Sequence, residues 1–411
     1  MRNRSALILT TVLTTGALTL TACGSRDKDK GDDNSSGDKK TVVIGFDAPL
    51  TGDLSALGIG MRNSAELAVK TANKENTVEG IEFKLQPLDD QAQPSVGGQN
   101  AQKFISDSDV LGVVGPLNSN VSQSMQKPFN DADLTQISPA NTGTELTQGD
   151  GWKKGDKKRQ FKTFFRTATT DQVQGQFAAQ YLFQKAKIKK VYLIDDQKTY
   201  GAGLAASFKD TFTDLGGKIV GQDHVNPEDR DFKSVVSQVK GKGAEAVYYG
   251  GEYPAAAPLS QQLKESGAKI PLMGGDGMKS EEFPKLNKKA IGDLGTSVGK
   301  PVEELPSAKK FIEEYNKNYK ENMETYGGGT YDATWSIIEA VKLAVEGNNG
   351  KLPSDGRAKV LEAMSKVKFQ GVTGDVSFDQ YGDTTNTMMT AYQVNKDNKW
   401  ESKFSEAYKP R

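Results

Sequence analysis

From residue 41 onward the chain alternates two hydrophobic periods. Short runs at 42–48, 83–89, 110–115, 136–138, 190–195, 218–225, 246–250, 271–274, 295–299 and 388–394 read as strands. Several are apolar throughout, as strands covered on both faces are. Between them lie stretches with a 3.6-residue period. Residues 63–73 place Ala65, Ala68, Val69 and Ala72 on one face, and 171–186 does the same with Val173, Phe177, Tyr181 and Leu182. Residues 311–319 and 331–345 follow the same rule. Strands alternating with helices predict parallel, doubly wound sheets with right-handed crossovers. The alternation is too long for one sheet. A polar stretch at 149–160 (GDGWKKGDKKRQ) interrupts it, and a second series opens at Lys190. Two α/β lobes are therefore expected, with the loops after the strand ends facing a cleft.

Charge and composition narrow the function. Across 411 residues, 53 Lys and Arg balance 53 Asp and Glu, which excludes the basic footprint of a nucleic-acid binder. One Cys and one His exclude an internal disulfide framework and a Cys/His zinc site. Cys23 and His224 would have to meet to form a thiol–imidazole dyad, and no G-x-S-x-G, H-E-x-x-H or P-loop pattern occurs. His224 reads as structural, and little supports an enzyme such as an amidase or a dehydrogenase. Gly201-Ala202-Gly203-Leu204-Ala205-Ala206 fits G-x-G-x-x-A, with Asp223 about 20 residues on. Residues 196–200 separate it from its strand, however, where a dinucleotide turn is tight. It reads as small residues that let a helix start pack closely.

The N-terminus carries a targeting signal. Arg2 and Arg4 precede an uncharged apolar run over 6–20, shorter than the roughly 20 residues that span a bilayer and suited to a secretory leader. Leu20-Thr21-Ala22-Cys23-Gly24 resembles a bacterial lipobox. Residues 1–22 are then a signal peptide and Cys23 the lipidated first residue, held by acyl chains that contribute about 0.8 kcal/mol per buried CH₂. Residues 23–40 are charged and Gly/Ser-rich, a flexible tether on the outer face of the cytoplasmic membrane. Lys153, Lys154, Lys157, Lys158 and Arg159 read as a solvated loop; the functional alternative is contact with anionic lipid heads or a membrane partner.

The loops after strands carry the candidate chemistry. Gly115-Pro116-Leu117-Asn118-Ser119-Asn120-Val121-Ser122 and Pro139-Ala140-Asn141-Thr142 offer hydroxyls and backbone N–H groups at successive strand ends, able to clamp an anionic head group. In the second series Asp195-Asp196-Gln197-Lys198-Thr199-Tyr200-Gly201 and Gly274-Gly275-Asp276-Gly277 follow strands. A carboxylate between glycines has little steric cover, and burying it calls for a cationic partner. Carboxylate-binding donors on one lobe and an Asp on the other describe a receptor for a zwitterion.

With these residues placed, the chain resembles the leucine/isoleucine/valine-binding family of ABC-transporter solute-binding lipoproteins. The resemblance runs from about 42 to 394 and is carried by IGFDAPLTGDLSALG (44–58), VVGPLNSNVS (113–122), ISPANTGTELT (137–147), DDQKTYGAGLA (195–205), VYYGGEYP (247–254) and LMGGDG (272–277). It implies a type I periplasmic-binding-protein fold: two doubly wound α/β lobes joined by a three-segment hinge. It assigns Ser119, Ala140 and Thr142 to the ligand's α-carboxylate and α-ammonium, Tyr200 and Asp276 to closure over the ammonium, and Tyr326 to the side-chain end of the pocket. The departures are specific. Asp276 stands where the family usually has Glu, and Leu57 replaces a common aromatic. Glu252 replaces a frequent Tyr, and either faces solvent or favours a ligand with a second donor. Asn118 occupies an expected Cys position, so the family's disulfide is absent.

The same resemblance places crossovers near 167–170, 299–302 and 374–378, giving lobes of 41–168 with 300–375 and 169–299 with 376–411. The polar break at 149–160 then becomes a loop short of the hinge, longer than the family usually has. The function implied is delivery of an amino acid, branched-chain by family, to ABC permease subunits, by a monomer without a cofactor. A receptor for a small amide or urea-like solute, and a sensor reporting to a partner protein, are the alternatives.

Overall fold

The computed structural model describes residues 39–410; the leader, Cys23 and most of the tether lie outside them. The first sheet takes β1 (Lys40–Ala48), β2 (Ile81–Asp89), β3 (Val110–Val114), β4 (Thr135–Ser138) and β5 (Phe164–Arg166), in the order β2-β1-β3-β4-β5. Every pairing in it is parallel. In β1, Val42, Ile44, Phe46 and Ala48 point into one apolar cluster with Ile337 and Val341 of the helix Gly327–Glu346. Val43 faces the other side, beside Phe104, Val113 and Met125. Both faces are covered, which is why the strand reads as an almost unbroken apolar run.

The second sheet takes β6 (Lys190–Asp195), β7 (Lys218–His224), β8 (Ala246–Gly250), β9 (Leu272–Gly274) and β10 (Leu294–Val298). A two-stranded hairpin of β11 (Lys368–Gly371) and β12 (Gly374–Ser377) precedes β13 (Met388–Val394) and β14 (Trp400–Ala407). The order is β14-β13-β10-β9-β8-β6-β7. Here the structure departs from the all-parallel expectation. β13 runs antiparallel to β10, and β14 antiparallel to β13. The turn before β14 is too short for a crossover and can only fold back; Asn395 Oδ1 closes it by accepting from the N–H groups of Asp397 and Lys399 at 3.0 and 3.1 Å. The helix expected over 171–186 is α-helical over Asp171–Gln180 and continues as a π-helical turn, Tyr181–Lys185.

The backbone passes between the sheets after β5, after β10 and after β12. The middle return supplies Phe311, Tyr315 and Val372, which pack with Leu67 of the helix Ser55–Lys74. Residues near the third passage hold to the end of β5. Buried Arg166 meets Asp383 at 2.6 Å, and Phe165 meets Phe378 edge-on at 5.3 Å. The stretch 149–160 does not divide the lobes. Lys158 N donates to Gln148 O at 2.8 Å, closing a loop, after which the chain returns to the first sheet as β5. Within it Arg159 is not solvated as expected. Its guanidinium lies 4.6 Å from the Phe165 ring and donates to Phe164 O at 2.9 Å.

Candidate functional site

The first wall of the cleft is two loops stitched together. The loop after β3 leads through Asn118 into the helix Ser119–Asp131, and the loop after β4 carries Ala140 and Thr142. Ser138 Oγ donates to Pro116 O at 2.8 Å and accepts from the N–H groups of Ala140 and Asn141 at 3.2 and 2.9 Å. Asn141 Nδ2 donates to Leu117 O at 2.8 Å. From below, Arg166 donates to Asn141 O at 3.0 Å, Gly143 O at 2.7 Å and the Thr147 hydroxyl. Ser119, Ala140 and Thr142 are all buried as a result, with Ser119 at the N-terminal end of its helix. The first N–H groups of a helix have no partner within it, and such an end favours an anionic oxygen. Leu57 is buried in the same apolar cluster as Ala140 and Tyr326.

The second wall centres on Asp276, after β9. One carboxylate oxygen accepts from Tyr200 OH at 2.8 Å and Gln174 Nε2 at 3.0 Å. Gln174 Oε1 in turn accepts from Asp276 N and from Thr296 Oγ1, both at 2.8 Å. Gly277 N donates to Tyr200 OH at 3.0 Å. The flanking glycines are therefore not there to expose the carboxylate. A Cβ on Gly275 would collide with the Tyr200 hydroxyl, and Asp276 is fully buried. Burial raises its carboxyl above the usual range, opposed by the hydroxyls of Tyr200 and Tyr326 and the amide of Gln174.

Glu252 does not face solvent. It precedes the helix Tyr253–Glu265, and its Oε1 accepts from Asn118 Nδ2 across the cleft. Its Oε2 lies 3.4 Å from Lys198 Nζ. Its methylene chain sits within reach of Gly277, so it adjoins the Asp276 site.

Sequence reading missed a second acid. Asp171 is buried at the start of its helix; its N–H donates to Thr142 O at 2.6 Å. Burial holds its carboxyl well above the usual range against the Thr142 hydroxyl, with Glu145 and Asp276 pushing the same way. Thr142, Asp171, Asp276, Tyr200 and Tyr326 thus form one electrostatic group. The nearby guanidinium of Arg166 is committed to Asp383 and the loop carbonyls. Two buried carboxyls short of a cation make a place for an ammonium group. Elsewhere, Gly201 opens the helix Thr199–Asp214 and packs against Gly250, and His224 meets Asp195 at 2.8 Å. Both fit their structural readings.

Residues 41–399 match the periplasmic binding protein family. The leucine-, isoleucine-, valine-, threonine- and alanine-binding protein of Pseudomonas aeruginosa is 28% identical over 357 residues, covering 87% of this chain and 91% of the relative. Among solved structures, the branched-chain amino acid transporter substrate-binding protein LivJ of Streptococcus pneumoniae, in complex with isoleucine, superposes with a TM-score of 0.77 at 28% identity, covering 90% of this chain and 100% of that one. An ABC-transporter solute-binding protein of R. palustris in complex with benzoate shares the fold at 16% identity, with a TM-score of 0.77 over 90% of this chain and 98% of that one.

Proposed function

The chain belongs to the periplasmic binding protein family, and from that premise we propose that it captures an amino acid between its two lobes and delivers it to the permease of an ABC importer. The observation that carries this reading is the pair of buried carboxyls, Asp276 and Asp171, with no basic side chain among the described residues committed to either. An α-ammonium supplies that charge. The start of the helix Ser119–Asp131, with Ala140 and Thr142, supplies donors for the α-carboxylate. Tyr200 completes the ammonium side, and Tyr326 closes the side-chain end of the pocket. An aromatic acid without an amine would leave the carboxyls unpaired, which favours the amino-acid relatives over the benzoate receptor as guides.

In this reading the lobes are 41–168 with 300–375 and 169–299 with 376–411, and binding shifts a hinge equilibrium from open to closed. The protein works as a monomer without a cofactor. Cys23 carries the lipid that holds it on the outer face of the cytoplasmic membrane, beside its permease. Mass spectrometry of the mature N-terminus checks the anchor; an unmodified Cys23 would rule it out.

Calorimetry with amino acids, their amides, urea and benzoate tests the ligand class. Binding is expected only where an ammonium and a carboxylate share one carbon. Tight binding of benzoate or urea alone would overturn the reading.

A further inference from the structure

The side of the site next to Asp276 holds buried oxygens that lack a donor among the described residues. Asn118 is buried, and its Nδ2 is committed to the carboxylate of Glu252. A carboxylate only accepts, so the amide of Asn118 cannot turn over. Its Oδ1 is left buried with no hydrogen-bond partner among the described residues. Of the neighbouring acids, Glu252 is satisfied, with Lys198 on its other oxygen. Asp196, buried close enough to Glu252 for the two to repel, has one oxygen on Lys198 N at 3.0 Å and the other unpartnered among the described residues. A hydrocarbon side chain pressed against Asn118 Oδ1 and Asp196 Oδ2 would leave them unsatisfied, at about 1–3 kcal/mol for each. A donor would satisfy them.

Resting on the amino-acid reading above, we propose that the ligand's side chain ends in N–H donors, as a carboxamide, amine or guanidine does, and that Asn118, held in one orientation by Glu252, reads that end. The specificity is then for a hydrogen-bonding group in place of a branched hydrocarbon. Glu252 acts through Asn118 and is a positioning residue.

The test is calorimetry on the purified full chain with glutamine, lysine, arginine, leucine, isoleucine and valine. At least one of the first three is expected to bind about tenfold or more tighter than any of the last three. Glutamine against lysine and arginine separates a neutral donor from a cationic one. In Glu252→Gln, which keeps the shape, the amide of Asn118 is free to turn, and the preference is expected to fall about tenfold. Asn118→Leu should shift it toward leucine. Leucine, isoleucine or valine binding within tenfold of the best N–H-ended ligand would overturn the proposal while leaving the amino-acid reading standing. Unchanged preference in a folded Glu252→Gln would overturn the role of Asn118. Binding of none of the six would sink the amino-acid reading, and the proposal with it.

Discussion

Asp276 shows how much a single side chain decides. It is fully buried, held by Tyr200 and Gln174, and its carboxyl is raised by burial. Asp276→Asn keeps the shape and removes the charge, so amino-acid affinity is expected to fall by about 2–5 kcal/mol, read by calorimetry. The pH dependence has two opposite signs. An ammonium needs the ionised carboxylate, so affinity weakens as pH falls through the raised folded pKa. Stability of the ligand-free protein runs the other way: the contribution of the protonated group is present at acid pH and lost as pH rises through that value. Asp276 was legible because a lone Asp between glycines after a strand is unusual. Asp171 was not. It follows Thr170, whose hydroxyl caps the helix by accepting from Val173 N at 3.4 Å. An acid in the first turn of a capped helix is ordinary on the surface, and nothing in the local sequence distinguishes it from one buried in a cleft.

Whole elements were legible where their periodicity was strong and lost where it was not. The apolar strands and the long helices follow from their patterns. β5 is three residues long, and β14 offers only Trp400, Phe404 and Ala407 as apolar residues among charges. That composition is what an edge strand uses to discourage further pairing, so the feature that protects β14 also conceals it. Between elements, two buried acids, Asp47 near the end of β1 and Asp90 just past β2, lie close enough to share a proton. Burial raises Asp90 to about 6. An acid with a raised folded pKa contributes stability that is complete below its unfolded value and lost as pH rises through the folded one. Asp90→Asn is expected to match the parent near pH 4 and to exceed it near pH 8 by on the order of 1–3 kcal/mol, measured as Tm or by denaturant titration.

That the molecule has two lobes was legible from the length of the strand–helix alternation, but the crossovers came only with the resemblance; composition alone pointed to a division at 149–160, which is a loop. In the structure the lobes meet at several polar contacts. Asn118 meets Glu252, Tyr253 OH donates to Asp53 O, and Glu324 accepts from Ser280 Oγ and Glu281 N, both at 3.0 Å. The exposed Arg230–Asp53 pair at 2.5 Å contributes little. Glu324→Ala removes two charge-assisted bonds across the cleft. The unliganded protein should then show a larger radius of gyration in X-ray scattering, and ligand affinity should drop about tenfold. Unchanged scattering and affinity would mean that Glu324 plays no part in closure.

The passages between the sheets gather in one place: Thr167 and Thr169 after β5, Gly299 and Lys300 after β10 and Asn386 after β12 line one cleft. Neither half is therefore an uninterrupted length of polypeptide. A protease that clipped one passage would leave the pieces roped together by the others and by the sheets they share. Such a nicked molecule would run as fragments in detergent yet travel as one particle in native buffer.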